Sequence, residues 1–148
     1  MRARGVTVLM AAAVAAGAAA GSTMAGPEGP RGVVTAKTSR FGRILFDGRG
    51  FVLYGFTRDQ KGRSRCSGAC AEAWPPYIVR SKPRSAAGVS RARLGTFERA
   101  DGRLQATFAG RPLYYYVGDR SPAEIRCQNV FEFGGLWLVA RPNGTLVR

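Results

Sequence analysis

Short apolar runs separated by turn-forming residues extend from about Val33 to the end of the chain, a pattern typical of β-strands. The clearest example is Arg43–Phe46, followed by Asp47–Gly50 (Asp-Gly-Arg-Gly) and Phe51–Thr57. An Asp-Gly pair between β-forming residues favours a tight hairpin turn, because such turns need positive φ angles. These runs therefore predict a β-hairpin, and Asp59–Gly62 predicts a type I turn directly after it.

The rest of the chain continues this pattern with one helical exception. Ala69–Trp74 predicts one or two helical turns, which the following Pro-Pro pair must end because proline cannot continue a helix. The polar and basic segment Arg80–Ser90 is predicted to be a loop that joins two halves, and Asp119–Gly135 is predicted to be irregular. The other predicted strands are Tyr77–Val79, Leu94–Arg99, Arg103–Phe108, Arg111–Val117 and Leu136–Ala140. The sequence therefore predicts an all-β fold, a small β-sandwich or barrel-like domain of two pseudo-repeated β-hairpin units with one short helix.

One phrase occurs twice, and its copies, Gly42–Asp59 and Gly102–Asp119, align without a gap. Each copy ends in the motif Tyr-x4-Asp. The motif residues are Tyr54, Asp59, Tyr114 and Asp119. In a structural interpretation the tyrosines pack on the sheet, and each Asp caps a turn by accepting a hydrogen bond from the backbone N–H two residues later. In a functional interpretation the repeats bring the two carboxylates together, where they bind a cation or share a proton.

The N-terminal segment, residues 1–25, is predicted to be a secretory signal peptide. Two early arginines precede an apolar, alanine-rich run and then a stretch of small residues. Cleavage after Ala20 or after Ala25 fits the small-residue rule, and an uncleaved anchor is the alternative. Residues 26–38 begin with Gly and Pro and are expected to form a flexible tether, which leaves residues 39–148 as a single secreted β-domain.

The composition narrows the possible partners and chemistry. The formal net charge is +14, and removing Arg2 and Arg4 with the signal leaves +12. Such a charge favours anionic partners, and the candidates are anionic cell-envelope polymers or phospholipid headgroups; the alternative is the arginine usage of a GC-rich genome. We expect no specific nucleic-acid partner and no transmembrane segment in the mature chain, and the oligomeric state stays open. Histidine is absent, which excludes a histidine general base, a Ser–His or Cys–His pair and a histidine metal or haem ligand. We therefore expect no enzyme, no catalytic residue, no cofactor and no metal site.

The three cysteines fit a secreted protein, in which a disulfide is the default. Cys66 and Cys70 would lie about 6 Å apart at Cβ on a regular helix, but a disulfide needs about 3.8 Å. Cys66 must then precede the helix, and Gly68 allows the required bend. A redox-active disulfide is the alternative to a structural one. Cys127 leaves an odd count, so it is free, pairs between chains or competes for one of the other two.

Several residues in chain order form a specific combination. They are Leu53–Asp59, Ser64, Cys66, Cys70-Ala71, Trp74–Pro76, Pro112–Tyr116 and Asp119. Over about Gly42 to Val139 the chain resembles the bacterial secreted repeat family named for its Tyr-x4-Asp motif, whose members are often described as predicted lipoproteins. The resemblance implies an exported protein of uncharacterised function, and only the four motif positions carry over.

The chain departs from this family in two respects. It lacks a lipid-acceptor cysteine near the predicted cleavage region, and it carries Cys127 where a glycine-rich segment is expected. We therefore expect a secreted, extracytoplasmic protein that is a non-enzymatic binding or structural module of the cell envelope. The alternative is a metal-binding or redox accessory protein that uses the Asp59/Asp119 pair or the Cys66/Cys70 pair.

Overall fold

The computed structural model describes residues 32–148. The predicted signal peptide and the first part of the predicted tether lie outside this range. The elements in chain order are β1 (Val33–Ser39), β2 (Gly42–Asp47), β3 (Tyr54–Phe56), α1 (Ala69–Ala73), β4 (Ile78–Val79), β5 (Arg84–Ser85), a 3-10 turn (Arg91–Arg93), β6 (Leu94–Glu98), β7 (Leu104–Phe108), β8 (Arg111–Pro112), β9 (Val130–Glu132) and β10 (Gly135–Val139). None of the helices within residues 32–148 has the length and apolar character needed to cross a membrane.

The strands form three small sheets, with no closed barrel in the described part of the chain. The first sheet has the order β2-β1-β5, in which β1 is antiparallel to β2 and parallel to β5. The second has the order β3-β10-β9, and the third has the order β4-β7-β6 with β8 paired to β7. The prediction of an all-β fold with one short helix is confirmed.

Local turn chemistry explains the first hairpin. Asp47 ends β2, and its Oδ1 accepts hydrogen bonds from the backbone N–H groups of Arg49 and Phe51, each at 2.9 Å. Gly50 in the same turn has a φ of +93°, a conformation that favours glycine. The carboxylate therefore holds the turn that the Asp-Gly pair predicted.

The core consists of two apolar clusters that share strands. Because successive strand side chains point to opposite faces, β2 places Ile44 and Phe46 in one cluster and Leu45 in the other. The first cluster also contains the buried Trp74 and Trp137. Strand β2 of this small domain therefore contributes to two packed layers.

A pseudo-twofold axis relates the two repeats. The backbone N–H of Tyr54 donates to the carbonyl oxygen of Tyr114 at 2.9 Å, and the N–H of Tyr114 donates back to Tyr54 at 3.0 Å. Two equivalent residues that exchange both bonds in an antiparallel pair lie on a local twofold axis. The repeated phrase is thus a repeated structural unit.

In strands β2 and β7 the structurally equivalent residues of the two repeats differ by one position from those of the ungapped sequence alignment. Leu45 N–H donates to the carbonyl of Ala140, and Ala106 N–H donates in the same way to Tyr77, so Leu45 corresponds to Ala106. The ungapped alignment pairs Leu45 with Gln105 instead. The second repeat has one residue more in the turn before β7 and one fewer in the turn after it, so the alignment returns to register at the motif tyrosines.

Three predictions about irregular segments are corrected. The predicted tether extends to residue 38, but β1 begins at Val33 because its residues pair along the whole length of β2. The predicted loop at residues 80–90 contains β5, where Arg84 N–H donates to the carbonyl of Gly32 at 2.7 Å and Ala86 N–H donates to that of Val34 at 2.8 Å. The predicted irregular segment 119–135 likewise contains β9. Strand β5 depends on pairing with the distant strand β1, which local sequence does not encode, whereas β9 pairs with β10 in a local hairpin that the prediction missed.

Candidate functional site

The motif side chains bond across the repeats. The hydroxyl of Tyr54 donates to Oδ2 of Asp119 at 2.6 Å, and the hydroxyl of Tyr114 donates to Oδ2 of Asp59 at 2.7 Å. Each motif tyrosine therefore meets the aspartate of the other copy. This exchange is consistent with the pseudo-twofold axis. The axis passes between the paired backbones of Tyr54 and Tyr114, and the side chain of each tyrosine extends to the aspartate of the other repeat.

The second oxygen of each carboxylate anchors a loop. Oδ1 of Asp59 accepts a hydrogen bond from the backbone N–H of Arg65 at 2.7 Å, and Oδ1 of Asp119 accepts one from that of Arg126 at 2.9 Å. The predicted turn cap is therefore corrected, because Asp59 bonds a backbone group six residues later rather than two. The loop after each motif is held to the strand of the other repeat.

The structure places the two motif aspartates in separate hydrogen-bonded sets. Each carboxylate oxygen accepts a hydrogen bond from a protein donor, and the two aspartates share none of these donors. Within residues 32–148, no group of three or more His, Cys, Asp or Glu side chains is arranged to hold a metal ion. The geometry supplies hydrogen bonds between repeats rather than a joint carboxylate site.

Burial shifts the acidity of all four motif residues. Desolvation raises the pKa of the Asp59 carboxyl, although the hydrogen bonds from Arg65 and Tyr114 act in the opposite direction. Desolvation likewise raises the pKa of Asp119, opposed by the hydrogen bond from Tyr54. The pKa values of Tyr54 and Tyr114 are raised far above their ordinary value, first by burial and then by the neighbouring carboxylates. Each phenol therefore stays a neutral donor at physiological pH.

A stack of four aromatic rings lies on the same axis. Trp74 and Trp137 stack at the centre, with centroids 4.1 Å apart and planes 5° apart. Phe56 of the first repeat packs on Trp137, and Tyr116 of the second repeat packs on Trp74. Both tryptophans are fully buried, and the stack joins the repeats through burial of large apolar area.

The hydrogen bonds of the two tryptophans break the symmetry. Trp74 Nε1 donates to Oε2 of Glu132 at 2.9 Å, whereas Trp137 Nε1 is buried without a partner in the described part of the chain. Glu132 lies in the β9–β10 hairpin, and α1 occupies the corresponding place in the first repeat. The two halves therefore differ most in the segment after the motif.

The disulfide and the third cysteine reflect this difference. Cys66 and Cys70 form a disulfide, with Cys66 ahead of α1 as predicted. Cys127 is free and partly buried. It directly follows Arg126, as Cys66 directly follows Arg65, so Cys127 is the repeat counterpart of Cys66. Burial raises the pKa of its thiol, which favours the unreactive protonated form.

A polar network that the sequence did not indicate lies beside Asp59. Arg99 donates to Oε1 of Gln105 at 2.6 Å and to the carbonyl of Cys66 at 2.8 Å. Gln105 is fully buried and donates to the carbonyl of Leu113 at 2.7 Å. A small pocket of about 110 Å³ opens nearby and is lined by Asp59, Gln60, Lys61, Ala109 and Arg111. Both oxygens of Asp59 accept hydrogen bonds from protein groups. We therefore interpret this cluster as structural support for the motif and not as a ligand site.

A basic groove lies on the segment between the two repeats. It encloses about 340 Å³ and is lined by Lys82, Pro83, Arg84, Ser85 and Arg91. The three cations are exposed, and none of the described residues that line the groove is acidic. The segment was predicted to be a connecting loop, and the sequence signal for the groove is the density of basic residues in a short Pro-bearing stretch.

Comparison with known proteins gives one match. A family model described as a secreted repeat of unknown function matches the chain twice, over residues 35–77 and residues 95–141. Each matched region contains one long antiparallel hairpin and one Tyr-x4-Asp motif, so the matches coincide with the two structural repeats. No curated protein and no solved structure matches the chain.

Proposed function

This chain belongs to the family of secreted repeats of unknown function, which makes its location extracytoplasmic, and we propose that it is a non-enzymatic module that binds an anionic polymer of the cell envelope. The observation that carries the proposal is the basic groove of Lys82, Arg84 and Arg91, which has three exposed cations and no acidic lining residue. Such a groove attracts phosphate or carboxylate groups over distances of about a Debye length.

The acidic residues of the described chain are largely committed elsewhere, which supports the proposal. Asp47, Asp101 and Glu124 each pair with the arginine two residues later in the chain. Asp59 and Asp119 are occupied by tyrosines and backbone donors. Little negative charge is therefore available to neutralise the groove.

The groove is also held in a fixed shape. Arg84 lies on β5, and Val33–Val34 of β1 pair with it in parallel. Pro83 is buried beneath the surface, and Arg91 begins a 3-10 turn. Cations held on a paired strand lose less freedom on binding than cations on a mobile tail, which favours affinity.

The absence of histidine and the state of the remaining nucleophiles support a non-enzymatic role. The chain has no histidine to act as a base. The Cys127 thiol has a raised pKa, and the motif carboxylates already accept two hydrogen bonds each. Electrostatic binding at the groove requires no reaction of the thiol or of the motif carboxylates.

The test is retention of the exported protein, collected from a secreting host, on immobilised long-chain polyphosphate. The groove variant K82Q/R84Q/R91Q is compared with K37Q/R63Q/R120Q, which removes one Lys and two Arg that are exposed elsewhere. We expect the groove variant to bind at least about tenfold more weakly and the control to change by less than about twofold, with retention falling as NaCl rises from about 50 to about 300 mM. Equal losses of retention in the two variants would show that binding depends on net charge and not on the groove. Retention that does not change with salt would refute electrostatic binding at the groove.

A further inference from the structure

We infer that the tip of the β9–β10 hairpin is a docking surface for an anionic phospholipid bilayer. Phe131 on β9 is 69% exposed, and Phe133 in the turn is 42% exposed. Among residues 32–148, Val117 is the only other exposed large hydrophobic residue. Single exposed apolar side chains are ordinary, but two aromatic rings at one hairpin tip form a concentrated apolar feature.

The backbone of the tip adds a second observation. The turn connects the paired residues Glu132 and Gly135, and its central residues Phe133 and Gly134 have φ angles of +53° and +79°. Two positive φ angles are typical of a type I′ turn, in which Asn or Gly is favoured at the first position. Phenylalanine incurs a steric cost there, and its exposed ring recovers little of that cost by packing within the chain. An external apolar environment accounts for a phenylalanine at this position.

Charge at the tip fits a lipid surface. Arg58 Nη1 donates to the carbonyl oxygen of Phe133 at 2.9 Å, so a guanidinium lies on the turn itself. Glu132 of β9 is an exposed carboxylate that accepts a hydrogen bond from Trp74 Nε1 of the core stack, and strand alternation places it on the face opposite to Phe131. Aromatic rings beside a cation are suited to the bilayer interface, where rings enter the acyl boundary and cations meet anionic headgroups.

The small size of the tip favours a bilayer over a protein partner. An aromatic side chain buries at most about 250 Å², so two rings supply far less than the roughly 800 Å² per partner of a stable protein interface. Insertion into a bilayer needs no matching surface, and the net positive charge of the chain contributes to attraction without direct contact.

The inference rests on the extracytoplasmic location of the family, and it concerns a surface separate from the basic groove. The hairpin tip comprises residues of β9, β10 and Arg58, whereas the groove comprises residues 82–91. The two proposals therefore fail independently.

The experiment is co-sedimentation of the exported protein with vesicles of phosphatidylcholine that contain about 30% phosphatidylglycerol, compared with vesicles of phosphatidylcholine alone. The tip variant is F131S/F133N, in which Asn suits the positive φ of residue 133. The matched control is V117S, which removes an equally exposed apolar side chain from the segment that bonds α1. Wild type is expected to bind the anionic vesicles, the tip variant to bind at least about tenfold more weakly, and V117S to bind within about twofold of wild type.

Further measurements separate the tip from folding and from the groove. The tip variant F131S/F133N is expected to melt close to the temperature of the wild type, because Phe131 is mostly exposed and Asn suits the positive φ of residue 133, so a loss of vesicle binding is not a loss of fold. The tip variant is expected to keep its retention on polyphosphate, and K82Q/R84Q/R91Q is expected to keep most of its vesicle binding. Each of three results would overturn the inference. The wild type does not bind the vesicles, it binds both vesicle compositions equally, or V117S loses as much binding as the tip variant.

Discussion

Replacing Tyr54 by Phe tests whether the motif acts as a bond between repeats. The substitution removes only the hydroxyl that donates to Asp119 at 2.6 Å. Tyr54 is fully buried and Asp119 is 7% exposed, so water cannot readily replace the lost donor. Hydrogen bonds to charged groups contribute about 1.5–3 kcal/mol, and we therefore expect Y54F to lower the free energy of unfolding by about 2 kcal/mol. Urea unfolding followed by circular dichroism measures this loss.

The loss should depend on pH in a defined direction. The hydrogen bond from Tyr54 lowers the pKa of the Asp119 carboxyl, which burial otherwise raises. Without the hydroxyl, the native pKa rises further above the unfolded value. The deficit of Y54F is therefore full at neutral pH, where the carboxylate is charged, and shrinks as pH falls through the native pKa and the carboxyl takes up a proton.

A double-mutant cycle isolates the pair, because Y54F also disturbs a hydrogen bond between the Tyr54 hydroxyl and the backbone of Cys127. In the cycle of Y54F with D119A, we expect a coupling energy of about 1.5–2 kcal/mol. The matched control is Y54F with D59A, the two residues of one motif copy, which do not bond each other and should couple by less than about 0.5 kcal/mol. Additive effects in the first cycle, or the larger coupling in the second, would refute the cross-repeat bond.

Three further expectations concern the buried sulfur and phenol groups. The double variant C66A/C70A should lose about 2 kcal/mol of stability in urea unfolding, because the disulfide closes a very short loop; the unchanged stability of this variant would show that the bridge is not structural. Iodoacetamide without reductant should label only Cys127, because the other two cysteines form a disulfide. The labelling of Cys127 should be faster in the unfolded protein, since burial raises its thiol pKa in the folded one. Three labelled thiols in the mass spectrum would contradict the disulfide. Burial raises the pKa of Tyr77 to about 12, above the unfolded value of about 10. The contribution of the neutral phenol to the free energy of unfolding is therefore fully present below pH about 10 and is lost as pH rises from about 10 to about 12. Tyrosinate absorbance and loss of circular dichroism should then rise together, and a phenol titration near pH 10 with intact structure would contradict this.

The features that the sequence predicted well are those set by neighbouring residues. The turn at Asp47–Gly50 needs only a carboxylate and a glycine with positive φ, and both are local. The same holds for the placement of Cys66 ahead of α1, which disulfide geometry and Gly68 suffice to predict. Short-range stereochemistry therefore predicted the hairpins, the helix and the all-β class.

The features that the sequence missed depend on how the repeats meet. An alignment places Tyr54 with Asp59 in one motif, but the twofold axis pairs Tyr54 with Asp119. Strand β5 forms because β1 offers a free edge, and no local pattern records this. Strand β9 belongs to a local hairpin, which the sequence did not indicate because phenylalanine is an unusual residue at the positive φ of its turn. The tyrosine–aspartate bonds follow from topology, so only a structure or a covariation between copies reveals them.

The comparison of the two halves separates fold from proposed function. The duplicated residues, namely the motif pairs and the stacked tryptophans, bond or pack with each other across the axis. The basic groove lies in the linker between the repeats, and the phenylalanine tip lies in a hairpin that replaces α1 in the second copy. Cys127 fits the same division, because the replacement hairpin carries no counterpart of Cys70 with which it can pair. Symmetric residues are thus explained by the stability of the pair of repeats, whereas both proposed binding surfaces lie where the symmetry ends. Variants of the symmetric set should therefore change unfolding before they change binding, and variants of the groove or the tip should do the reverse.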